Sequence, residues 1–122
     1  MSKWDCHLYG IHYSLIVGPW DDFVEMMEGG AKERLLDRDE SPIAHTLIDY
    51  AKPMRIWFWF PKEVRPKTPR WSAVIAHEAL HGVMAVFTSR GIPVNDDHDE
   101  PATYYLGWLV EIIHQKLLEK KS

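Results

Sequence analysis

The sequence predicts a single α+β domain, and three observations lead there. A period-two apolar run and a proline-bounded aromatic run read as strands, and two later stretches with apolar residues at three- and four-residue steps read as long helices. At 122 residues the chain can bury one core but not two. Residues 1–122 are therefore taken as one domain.

The first strand runs from His7 to Val17, where Tyr9, Ile11, Tyr13, Leu15 and Val17 alternate with the opposite face until Gly18-Pro19 ends the pattern. Trp20, Phe23, Val24 and Met27 then recur at helical spacing, with Asp21 and Asp22 in the first turn and Gly29-Gly30 as the stop. From Ala31 to Glu40 the chain is charged, a connector with room for one or two helical turns. Ile43 to Tyr50 and Met54 to Phe60 form two more strands around a Lys52-Pro53 turn, giving a sheet of about three strands. In the second of these, Trp57 and Trp59 face one way and Phe58 and Phe60 the other, so both sides require cover or a ligand. Pro61, Pro66 and Pro69 keep the next segment irregular. A helix follows from Arg70 to Ser89, then a polar loop, Asn95 to Asp99. A final helix runs from about Glu100 to Lys120, with Leu106, Leu109, Val110, Ile113 and Leu117 as its apolar stripe.

Composition narrows the function. Hydrophobic residues at 46% and charged residues at 26% are those of a globular protein rather than a disordered or fibrous one. Eighteen acidic against fourteen basic residues, a net charge of -4, weigh against a general nucleic-acid or anionic-membrane binder. Cys6 has no partner for an internal disulfide, and Asp5 and His7 interrupt any apolar leader. The expected setting is the cytoplasm.

Chemistry enters with His77-Glu78-Ala79-Leu80-His81, an H-E-x-x-H run inside the first long helix. Residues four apart lie about 40° apart around a helix and one turn along it, so both imidazoles project from one face and can share one ion. Imidazole nitrogens suit zinc, and Glu78, one step round, is placed to act on water as a general base. The competing interpretation is a solvated or structural histidine pair. A catalytic zinc takes three protein ligands. Met84 and Phe87 stand where metzincins have Gly and His, so the third ligand lies elsewhere. Glu100, opening the last helix, is the choice, with His98 second. Asp96 and Asp97 read as helix-capping residues, and His7, His12, His45 and His114 as structural or surface residues.

The run HEALHGV, a loop, then DEPATYYLGWL resembles the small H-E-x-x-H zinc-peptidase-like proteins of tailed bacteriophages and prophages, within the gluzincins, in which a Trp-Phe strand precedes the motif helix. The similarity covers about Arg55 to Ile113. It implies a zincin-like domain in a bacterial host cytoplasm, with His77, His81 and Glu100 as zinc ligands and Glu78 as catalytic base. It also implies a hydrolase of the metallopeptidase type acting on peptide or protein substrates. Tyr104, one turn beyond Glu100, is a candidate donor to the developing oxyanion, with an amphipathic helix position as the simpler interpretation. The rival is a catalytically silent, metal-stabilised binding or assembly protein.

Lys52, Arg55, Lys62, Arg65, Lys67 and Arg70 surround the aromatic strand against Glu63 alone. A solvated basic loop beside a buried strand is the simplest interpretation. An acidic-substrate groove and a single-strand nucleic-acid platform are the alternatives. Met54 to Phe60 is also a candidate for aligning an extended substrate by edge pairing.

Overall fold

In a computed structural model, the structure describes residues 1–36, 42–97 and 99–121. The α+β expectation holds, with four strands and four helices among the described residues: β1 (Ser2–Cys6), β2 (Ile11–Val17), α1 (Trp20–Met26), α2 (Gly29–Leu36), β3 (His45–Asp49), β4 (Met54–Phe60), α3 (Pro69–Ser89) and α4 (Glu100–Lys121). The strands form one open mixed sheet in the order β1-β2-β4-β3. β1 and β2 make an antiparallel hairpin, β2 runs parallel to β4, and β3 returns antiparallel to β4.

Three expectations are corrected. The strand proposed over His7 to Val17 starts at Ile11, because the chain turns through Gly10 at φ +69 and its amide bonds back to the Cys6 carbonyl. Residues 2–6 are a further strand, so the sheet has four strands rather than three. Gly29-Gly30 does not merely end α1. Met27 closes that helix in extended conformation, and Gly29-Gly30 opens α2, which runs on into the expected connector as far as Leu36.

β4 lies inside the sheet and is covered on both faces, as its double-sided aromatic pattern requires. On one face Phe58 and Phe60 join Tyr13, Ile75, Phe87 and Leu109 beneath α3 and α4. On the other, Trp59 packs with Ile16, Phe23, Leu35 and Leu47 beneath α1 and α2. Each large side chain so buried contributes about 1.5–3 kcal/mol. An internal β4 has no free edge, so substrate pairing along it is ruled out; β3 is the edge strand on that side.

α3 starts at Pro69, where the missing amide costs nothing, and the Thr68 hydroxyl accepts from the Trp71 amide at 3.4 Å. It ends through Gly91 at φ +68, with the Ile92 amide bonding back to the Phe87 carbonyl at 2.9 Å, a Schellman closure. α4 packs antiparallel on α3. Phe87, near the end of α3, stacks on Tyr105, near the start of α4, at 5.8 Å, whereas Gly82, earlier in α3, lies against Leu109, further along α4. Gly82 also lets α3 settle on the sheet, since a Cβ there would sit 3.1 Å from the Phe58 ring on β4.

Candidate metal centre

His77, Glu78 and His81 are the group of potential ligands that the fold assembles among the described residues, with donor atoms within 4.8 Å of one another. Both imidazoles are exposed on α3, while Glu78 is 6% exposed. The Nε2 atoms of His77 and His81 face each other at 3.2 Å, the rings edge to face. Two nitrogens bound to one tetrahedral ion at 2.0–2.1 Å would stand about 3.3 Å apart, so the pair already has the spacing such an ion needs.

Glu78 points from α3 toward the edge strand. Thr46 on β3 donates its hydroxyl to Glu78 Oε1 at 2.8 Å and approaches the Glu78 backbone oxygen at 3.1 Å. The other carboxylate oxygen, Oε2, lies 3.8 Å from His77 Nε2. One oxygen is thus anchored to the sheet and the other turned to the histidines. Thr46 gave no sequence signal beyond lying in a strand, because its role depends on how β3 meets α3.

Glu100 is not in this group. It opens α4 exposed, with its backbone oxygen accepting from Thr103 Oγ1. The reason is helix register: Leu109 lies level with Gly82, and Glu100 is nine residues earlier on α4, about 13 Å along its axis. Moreover, the cavity beside His77 and Glu78 opens on the β3 side of α3 and is lined by Ile43, Ala44, Ala73 and Val74, none of them from α4. His98, the second choice, lies outside the described residues. Tyr104 is 75% exposed on α4 and away from that cavity, while its neighbour Tyr105 is buried. Asp96 and Asp97 are exposed loop residues, and the residue whose carbonyl receives the first α4 bond, from the Thr103 amide, is Asp99.

The aromatic strand offers no stacking platform. Phe58, Trp59 and Phe60 are buried, and Trp57 is half-buried beneath Arg55, whose guanidinium also bonds Asp49 at 2.8 Å. Away from the centre, Tyr13 and Tyr105 share a buried hydroxyl–hydroxyl bond between β2 and α4. Burial, above all, raises both phenols well beyond their usual range. No helix among the described residues is long and apolar enough to cross a membrane. No protein-family model, curated protein or solved structure matches the chain.

Proposed function

We propose that the protein is a zinc-dependent peptide hydrolase with a zincin-like arrangement, in which His77 and His81 hold the ion and Glu78 is the general base. The observation that carries this reading is the 3.2 Å spacing of the two Nε2 atoms with a buried, hydrogen-bonded carboxylate beside them. Bound zinc would supply Lewis acidity, polarising a peptide carbonyl and acidifying a water. Glu78 would take that water's proton on Oε2 while Thr46 keeps Oε1 in place. As the oxygen adds to the carbonyl carbon and the C–N bond breaks, Glu78 would return the proton to the leaving amine. β3, as the edge strand beside Glu78, supports the reading because an extended substrate can add to it by backbone pairing.

A second interpretation has its own observation. Among the described residues only three donors gather, and one of them is the intended base, whereas a catalytic zinc takes three ligands besides it. A silent, metal-stabilised binding protein would have this donor set. The test is Glu78→Gln, assayed for metal content and for cleavage of a mixed peptide library. Retained metal with cleavage abolished supports hydrolysis; equal behaviour of wild type and variant supports the silent protein.

A further inference from the structure

A second cavity adjoins the one at His77 and Glu78. Ile43 lines both, and the second, a groove of about 620 Å³, extends toward the N-terminal end of α3. Trp71 on α3 and Trp20 on α1 both line this groove. Both rings are held from behind. Trp20 packs edge-on against buried Trp59 at 5.0 Å and tilts against Phe23 at 5.6 Å, and Trp71 packs on the main core. Pro42 and Pro61 also line it, with surfaces that lose little conformational freedom when covered. The groove is therefore a rigid aromatic slot before anything binds.

Its rim is charged. Lys62 and Arg70 line it, with Glu63 as the acidic residue between them, and the same loop carries Arg65 and Lys67, leaving a net charge of +3 over residues 61–70 of a chain that is -4 in total. Arg70 is exposed at the start of α3. An aromatic slot rimmed by cations on an acidic protein selects a ligand that combines an aromatic or bulky apolar side chain with carboxylates.

Distance sets where that side chain falls. Trp71 is six residues from His77 along α3, about 9 Å, and an extended peptide covers that in about three residues. We infer that this groove is the substrate-selecting subsite of the centre, taking an extended acidic peptide with an aromatic or bulky apolar side chain about three residues from the bond at the histidine pair. Trp20 and Trp71 receive the ring, and Arg70 with Lys62 meets the flanking carboxylates. The inference rests on the proposed hydrolysis for the identity of the bond, but the groove's preference can be measured without cleavage.

The experiment has two arms. In the first, the zinc-loaded Glu78→Gln protein is titrated into a fluorescein-labelled peptide containing Phe flanked by Asp and Glu, read by anisotropy, with a Lys-flanked peptide of the same length as comparison. The acidic peptide should bind roughly tenfold more tightly. Trp71→Ala should weaken it roughly tenfold, and Arg70→Glu should remove or reverse the preference, with circular dichroism confirming that both variants fold. In the second arm, wild-type protein is incubated with a mixed peptide library and the cleaved bonds are mapped by mass spectrometry. Acidic and aromatic residues enriched about three positions to one side of the cut support the inference, and Arg70→Glu should shift that position toward Lys and Arg. Cleavage without positional preference overturns the groove's role and leaves hydrolysis standing. Selective binding without any cleavage overturns hydrolysis and leaves the groove, and equal binding of both peptides overturns the groove whatever the second arm shows.

Discussion

Replacing Thr46 with valine removes one hydroxyl while keeping a side chain of the same shape on β3. That hydroxyl donates to Glu78 Oε1 at 2.8 Å, and the Glu78 side chain is only 8% exposed, so water cannot fully replace the lost donor. A hydrogen bond to a charged group contributes about 1.5–3 kcal/mol, and leaving a buried acceptor unpaired costs a similar amount, so a loss of about 2 kcal/mol is expected. Unfolding entropy of about 2.1 cal/mol/K per residue turns that into a fall in Tm of about 8 °C for this chain. Thermal melts followed by circular dichroism at pH 7, with a chelator present so that bound metal does not mask the change, read it directly. The same substitution made in Glu78→Gln, where a neutral oxygen accepts the bond, should cost about 1 kcal/mol less. A fall in Tm of under about 2 °C, or equal falls in both backgrounds, would show that the sheet does not anchor the carboxylate.

Other outcomes follow from the same geometry. Tyr13 and Tyr105 stay protonated in the fold at pH values where the unfolded chain ionises, since burial raises both. Their contribution is therefore complete below about pH 10 and is lost as pH rises above it. Tyr105→Phe should flatten the alkaline fall in stability, measured by urea melts between pH 8 and 11. Leu109→Ala opens a cavity between α3 and α4 at a fully buried side chain and should cost about 2–5 kcal/mol, read as a lower urea midpoint with an unchanged slope. Glu100→Ala should leave metal content unchanged, because Glu100 lies about 13 Å along α4 from the level of Gly82 and further still from that of the histidine pair. A clear loss of metal in that variant would show that α4 sits in a different register.

What was legible in the sequence was local. β4 spans the residues its aromatic run suggests, and α3 and α4 begin within a residue of where proline and acidic signals put them. The histidine pair was readable because residues four apart on one helix need no tertiary information to meet. β1 escaped notice because an edge strand buries little. Ser2, Trp4 and Cys6 share its inward face, but of these only Trp4 and Cys6 join the core, and Lys3 and Asp5 on the other face make it look like a polar terminus. The parallel pairing of β2 with β4 was also hidden, since the strand between them in sequence lies outside them in the sheet. A place at a helix start makes Glu100 a candidate ligand in the sequence, but ligand geometry depends on how far two helices slide past each other, and Gly82 against Leu109 sets that. The aromatic groove was invisible for the same reason, because Trp20, Pro42, Pro61 and Trp71 come from four separate segments.

The central claim is that two imidazoles on α3 hold a zinc ion, and metal content per chain is the direct measurement of it. Protein purified without added metal, then dialysed against limiting zinc and analysed by elemental mass spectrometry, should carry about one ion per chain. His77→Ala and His81→Ala should each lose it, while Glu78→Gln should keep it. Wild-type protein without zinc under these conditions, or full occupancy in both histidine variants, would contradict the account.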